Sequence, residues 1–253
     1  MPAADAFYSE RYCAFIDILG FSGLISDLER ERISVEEIRQ VLSVVHAPPK
    51  TTRPQEADLR SQSISDAVAL SATATAAGFD AICAAAEMLS LRLLRSGYFV
   101  RGAITKGRLY HDPGTIFGPA LVEAYRLESQ IAKFPRIIVP RAVARDGLVY
   151  AEQGTHWKQY FDGRFIQAED GPFFIDILRD HTRHLQKVVN HTMADDGTLP
   201  LLRMMRTAIQ KRFDEASDNP NHFEKVAWFV VYWNGKISLL GAEGLEPIIT
   251  RPL

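Results

Sequence analysis

Residues 12–18 are almost unbroken in apolar side chains, the pattern of a buried strand, and residues 21–28 then start a helix. Helical period continues over 35–46, and Pro48-Pro49-Lys50-Thr51-Thr52-Arg53-Pro54 ends it in a loop. Residues 59–64 and 67–71 read as two strands meeting at a tight turn, with Asp66 at its tip. Phe79, Ile82, Cys83, Ala86, Leu89 and Leu93 recur at helical spacing, and Gly97 stands where that helix needs a cap. A strand over 98–105 follows, continued at 109–111 and stopped by the turn Asp112-Pro113-Gly114. Next come a helix over 118–132, with core face Ala120, Ala124, Leu127 and Ile131, and a strand over 136–139.

Strands and helices interleaved in this order predict an α+β fold, with helices laid over a largely antiparallel sheet. From about Asp176 the character changes. Residues 181–189 and 201–213 read as charged amphipathic helices. Residues 226–233 are rich in aromatic and β-branched side chains, and Asn234-Gly235 then precedes 236–240, which predicts a closing β-hairpin. The expected organisation is a body over residues 1–176 and a C-terminal extension of helices and a hairpin over 177–253, packed on it.

Composition narrows the partners. At 253 residues the chain can bury a sizeable core, and its net charge of −2 gives no argument for nucleic acid as a partner. Cys13 and Cys83 both stand in apolar surroundings without a CxxC partner, which reads as two buried thiols. Residues 1–11 are polar and small, without the apolar core of a signal peptide. The apolar run 81–94 is interrupted by Glu87 and Arg92 and is too short to span a bilayer. The expectation is a cytoplasmic protein with no membrane or nucleic-acid partner.

The candidate chemistry lies in two segments, Phe15-Ile16-Asp17-Ile18-Leu19-Gly20-Phe21-Ser22 and Ser63-Ile64-Ser65-Asp66-Ala67-Val68. Each sets one carboxylate in an apolar, strand-like run, where a lone charge is costly unless something pairs with it. Two such carboxylates on neighbouring strands would seat a hard divalent cation, which prefers carboxylates together with substrate phosphates. Gly20-Phe21-Ser22 would open a helix whose free N–H groups suit a phosphate. Taken singly, Asp17 also reads as a strand-end helix cap and Asp66 as a turn residue.

In series with two further segments, these motifs resemble class III nucleotidyl cyclases. Residues 15–22 are similar to that family's first metal motif, and Ile64-Ser65-Asp66 to its second, with Ser65 where the family usually has Gly. Val100-Arg101-Gly102-Ala103-Ile104-Thr105-Lys106-Gly107 is similar to its R-x-G-[IA]-x-x-G strand. Gly118 to Glu128, with Arg126, looks like the helix that delivers the transition-state arginine. The resemblance covers roughly residues 12–140. It implies a ferredoxin-like core and two Mn2+ or Mg2+ ions per site on Asp17, Asp66 and the Ile18 carbonyl. It further implies phosphate binding by Gly20, Phe21, Ser22 and Arg101, and catalysis by Arg126. In such enzymes the ribose 3′-hydroxyl attacks the α-phosphorus in line and pyrophosphate leaves. The arginine comes from a second copy, so a homodimer builds composite sites.

The departures from the pattern concern the base. Where purine cyclases carry Asn one turn before the arginine, this chain has Val122; their charged base readers align with Gln62 and Thr115. In these features the chain resembles the bacterial Pycsar pyrimidine cyclases, which make cyclic UMP or cyclic CMP in anti-phage defence. That implies UTP as substrate ahead of CTP. The same residues leave a purine cyclase, or a silent nucleotide-binding homologue, as alternatives; Arg126, Arg101, Gln62 and Thr115 each also read as surface polar residues. His181 and His184, one helical turn apart, read as a metal pair or as a polar helix face.

Overall fold

A computed structural model describes residues 8–47, 49–51, 53–217 and 219–250. Residues 1–7, and Pro48 and Thr52 of the proline loop, lie outside the described residues. The chain runs β1 (Tyr8–Ile18), α1 (Phe21–Glu29), α2 (Val35–His46), α3 (Pro54–Ala57), β2 (Arg60–Ile64), β3 (Ala67–Thr73) and α4 (Ala76–Leu94). It continues through β4 (Val100–His111), β5 (Ile116–Phe117), α5 (Pro119–Gln130), β6 (Ile137–Val139), α6 (Arg141–Glu152), α7 (Thr155–Phe161), β7 (Phe165–Gln167) and β8 (Phe173–Ile175). Three helices close it: α8 (Arg179–Val189), α9 (Thr198–Glu215) and α10 (Pro220–Ile237). The fold is α+β.

Two compact units divide the chain: residues 1–90 with 100–176, and residues 91–99 with 177–253. In the first, one sheet has the order β2-β3-β1-β4-β6-β8-β7, with β5 paired to β4. Every pairing is antiparallel except β4 with β6. Alternation along the strands sends successive residues to opposite faces. Cys13 and Phe15 of β1 pack with Ala67, Ala69 and Leu109 against Ala120 and Ala124 of α5. On the other face Tyr12 stacks on Phe79 of α4 at 4.5 Å between ring centroids, and Phe79 on Phe161 and Phe165. Arg164 is buried among Glu87, which it meets through two parallel hydrogen bonds, and Asp80.

Local chemistry accounts for the boundaries. Ser34 caps α2 in a reciprocal box with Glu37: the Ser34 hydroxyl accepts from Glu37 N–H at 3.2 Å, and the Glu37 carboxylate accepts from Ser34 N–H at 2.7 Å. Gly97, at φ +76°, follows the end of α4 and donates to the Leu94 carbonyl. β4 runs unbroken from Val100 to His111, so the expected strand over 98–105 and its continuation over 109–111 are one strand beginning two residues later.

Two expectations are corrected. The hairpin over 226–240 is instead the helix α10, with Asn219 as its N-cap and Pro220 in its first turn. Val226, Phe229, Val230, Trp233 and Ile237 are its buried residues, a spacing of three and four that makes one helical stripe and cannot make one face of a strand. Asn234-Gly235 lies inside that helix. There Asn234 exchanges hydrogen bonds with the backbone of Ile248, the Nδ2 donating at 3.1 Å and the Oδ1 accepting at 2.7 Å. On α5, Ile131 is exposed rather than core, because the helix ends at Gln130 and Ile131 is its C-cap. The stripe is completed by Glu128, which is buried beside Ala120 and Ala124. Among the described residues no helix is long and apolar enough to cross a membrane.

Candidate active site

Asp17 is the penultimate residue of β1, paired in register with Ala67 of β3 on one side and Arg101 of β4 on the other. Asp66 occupies the two-residue turn between β2 and β3, next to Ala67. Ser65, its neighbour in that turn, sits at φ +56°, a left-handed conformation that favours glycine. The Ser65 carbonyl is 2.8 Å from His46 Nε2 at the end of α2. The hairpin and β1 therefore bring Asp66 against Asp17 without any long loop.

Arg101 stands between acidic neighbours. Its Nη2 lies 3.5 Å from Asp17 Oδ2, while its Nε is 2.7 Å from Glu128 Oε1. That closer contact is an ion pair without the alignment of a hydrogen bond: both atoms are buried and neither finds a hydrogen-bond partner. Burial pushes the Asp17 carboxyl up to about 7; Asp66 through hydrogen bond and charge, and Glu128 through charge, act in the same direction, and Arg101 opposes them. Burial likewise raises Glu128, opposed by Arg101 and reinforced by Asp66. Two carboxylates thus share the Arg101 guanidinium, and Asp66 sets a third against Asp17. The deficit of positive charge, together with an all-oxygen donor set, fits a hard divalent cation.

Two glycines and a proline shape the surroundings. A Cβ on Gly102 would meet the Phe15 carbonyl oxygen at 2.6 Å, so the residue after Arg101 has no room for a side chain where β4 crosses β1. Gly118, at φ +143°, turns the chain into α5 with Arg108 O only 2.7 Å from the position of an added Cβ, and Pro119 then fills the first helical turn. Thr105 Oγ1 donates to the Ala120 carbonyl at 2.8 Å, fixing the start of α5 on β4.

The remaining expected site residues are placed as follows. Ile18 is buried at the end of β1, one residue from Asp17. Gly20 enters α1 at φ 81°, ψ 20°, and no side chain caps that helix, so Phe21 and Ser22 begin it with a first turn open to a ligand. Arg126 is exposed on α5 and makes a two-pronged ion pair with Glu123, at 2.8 and 2.7 Å. Val122 and Tyr125 beside it are exposed large apolar side chains, at 67 % and 56 %. Arg126 does not meet Asp17 or Asp66 by any contact within the chain. Gln62 of β2 pairs with Ala69, three positions before the turn, and its half-buried side chain carries an Oε1 with no hydrogen-bond partner. Thr115 is exposed in the turn beyond His111, past the end of β4 opposite Asp17. Glu128 was absent from the expected set: a Glu on a helix reads as solvated, and only the pairing of Arg101 shows why it is buried.

In the second unit, His184 lies 3.1 Å from Asp196, and with Asp195 the ligand atoms gather within 4.8 Å of one another. Asp196 Oδ1 accepts from the Thr198 hydroxyl and N–H, and Asp195 Oδ1 from Leu199 N–H. Both acids are thereby engaged in starting α9.

No protein-family model matches the chain, and neither does any curated protein sequence. Among solved structures it is similar to the catalytic core of a rhodopsin-guanylyl cyclase with converted specificity, crystallised in complex with ATPαS. That likeness has 13 % sequence identity and a TM-score of 0.38, covering 66 % of this chain and 95 % of the other. At that score it carries no weight for the site, whose reading stands on the residues and their geometry.

Proposed function

We propose that this chain is a nucleotidyl cyclase of the class III kind. The reaction forms a bond from the ribose 3′-oxygen to the α-phosphorus of a nucleoside triphosphate and breaks the bond to the departing pyrophosphate. The observation that carries the reading is the junction of Asp17 and Asp66 at the end of β1, where Asp17 and Glu128 share the Arg101 guanidinium and Asp66 adds a third carboxylate beside Asp17. Asp17 and Asp66, with the Ile18 carbonyl, would hold Mn2+ or Mg2+. A bound ion of this type supplies Lewis-acid polarisation of phosphoryl oxygens and acidifies a hydroxyl it holds. The first-turn N–H groups of α1, at Phe21 and Ser22, bind phosphate oxygens, and Arg101 adds a charged donor at the same end of the sheet.

Arg126 acts in a second copy. Exposed beside Val122 and Tyr125, it is free to exchange Glu123 for an α-phosphate across a homodimer interface, so each site takes its carboxylates from one protomer and its arginine from the other. Gln62 reads the base: its unpartnered Oε1 lies in a partly buried position, and an amide meets the polar edge of a pyrimidine with both donor and acceptor. Thr115 is a second base contact. UTP is the proposed substrate ahead of CTP, and cyclic UMP a second messenger in anti-phage defence.

The test is product formation by purified protein with Mn2+ and ATP, GTP, CTP or UTP supplied singly, with products resolved by mass. Cyclic UMP as the dominant product is expected. Cyclic AMP or GMP would overturn the pyrimidine reading and keep the cyclase. Binding without any pyrophosphate release would contradict the enzyme reading and favour a silent nucleotide-binding module.

A further inference from the structure

Arg101 lies directly across from Asp17 in the β1–β4 register. A guanidinium opposite a carboxylate closes onto it in a forked pair when nothing competes. Here it stays 3.5 Å away through Nη2 and sets its Nε in a closer ion pair with Glu128, at 2.7 Å. Glu128 follows Ala120 and Ala124 at intervals of four on the buried stripe of α5, where a third small apolar side chain would continue the packing. Its side chain is only 3 % exposed, so the carboxylate is desolvated and makes sense there only through the cation it holds.

The geometry points to Glu128 as a positioning residue: it draws Arg101 away from Asp17, keeping Asp17 and Asp66 open to a divalent cation and Arg101 available to a substrate phosphate. This rests on the reading of Asp17 and Asp66 as the cation seat. Glu128 touches neither cation nor substrate and acts through Arg101 alone. Without it, Arg101 occupies the seat as an internal counter-ion.

The experiment is calorimetric titration of nucleotide-free protein with Mn2+. Wild-type protein is expected to bind and Asp17→Asn to lose binding, which establishes the seat independently of turnover. Glu128→Gln is expected to weaken Mn2+ binding about tenfold, and adding Arg101→Gln to that variant to restore it to within about threefold of Arg101→Gln alone. The two proteins lacking Arg101 leave no guanidinium buried without a counter-charge. Their comparison therefore decides whether Glu128 is itself a ligand. Where Glu128→Gln alone fails to fold, Glu128→Asp keeps a counter-charge but shortens its reach and is expected to weaken Mn2+ binding, an unchanged affinity counting against the proposal. A folded Glu128→Gln protein with unchanged Mn2+ affinity overturns the proposal. So does a double variant much weaker than Arg101→Gln, which would make Glu128 a ligand in its own right. Binding that survives Asp17→Asn overturns the cation seat itself, a different result from either of these.

Discussion

Two polar clusters lie on the same face of the sheet, at opposite ends of β1, and they are built on different terms. At the Arg11 end every strong donor is answered. Arg11 donates to the Ser71 hydroxyl at 3.0 Å, to Asp58 Oδ2 at 2.8 Å and to the Asp58 carbonyl at 2.6 Å. Ser71 meets His111 Nδ1 at 2.7 Å, while Arg60 donates to Asp58 and to the His111 carbonyl. At the Asp17 end, six residues along the strand and so about 20 Å away, carboxylates outnumber cations and the closest ion pair lacks hydrogen-bond alignment. The first cluster is closed and serves the fold. The second is left open, and an open, charge-unbalanced cluster at a strand end is where a ligand completes the structure.

The largest separation between the two ends is expected from their acidic and basic anchors. Asp17→Ala or Asp66→Ala should abolish turnover, by about a thousandfold or more, in a protein that still folds and dimerises. Arg11→Ala should instead destabilise the fold by about 1–3 kcal/mol, the scale for losing the hydrogen bonds of a buried charged donor whose half-exposed partner Asp58 keeps Arg60, with turnover per folded molecule retained. Chemical denaturation and turnover measured on the same preparations check both. A smaller effect tests the composite site: mixing Asp17→Ala with Arg126→Ala should recover up to about a quarter of wild-type turnover through hybrid dimers, each with one intact site. No recovery despite proven subunit exchange would contradict the shared site.

Acidity distinguishes the two ends more subtly. Burial first, then Arg11 and Arg60, hold His111 down to about 4 against an ordinary 6.5. The unfolded chain therefore takes up that proton first, and the stability contributed by neutral His111 is full above about 6.5 and lost as pH falls toward 4. Asp17 runs the other way. Its folded carboxyl titrates near 7 against an ordinary 3.8, so its contribution is full below 3.8 and is lost as pH rises through 7. Metal-free Asp17→Asn should accordingly melt higher than wild type at pH 8, by about 3 °C, with the gap narrowing at pH 5 and closing only below about pH 4. The smallest change concerns the turn: Ser65→Gly should stabilise the protein by about 0.5–1 kcal/mol by relieving a left-handed serine, measured by denaturant midpoint.

How far the sequence spoke follows the same physics. Asp17, Asp66 and Gly20 stood out because a single carboxylate in an apolar run, or a glycine between strand and helix, is visible without knowing the partners. The helix at Val35–His46 was legible because its helical period and the proline loop after it are both local, and the Ser34–Glu37 box that starts it is local too. Glu128 was illegible because its reason, Arg101, lies on a different element, β4. Ile131 was misread because its burial depended on where α5 stops. Asn234-Gly235 misled because a turn dipeptide was weighed above the three-and-four spacing from Val226 to Ile237, which the packed helix obeys. Arg126 falls outside the spacing of the apolar positions of α5 and lies exposed, but its pairing with Glu123 is a surface choice among rotamers that spacing does not select.

The central claim is that the Asp17 end is completed by a cation and the Arg11 end is complete without one. The direct measurement is the shift in melting temperature on adding Mn2+ to nucleotide-free protein at pH 8, in wild type, Asp17→Asn and Ser71→Ala. Because a ligand bound only by the folded state stabilises it, the account expects a rise in wild type and in Ser71→Ala and none in Asp17→Asn. An equal rise in Asp17→Asn, or none in wild type at saturating Mn2+, would contradict it.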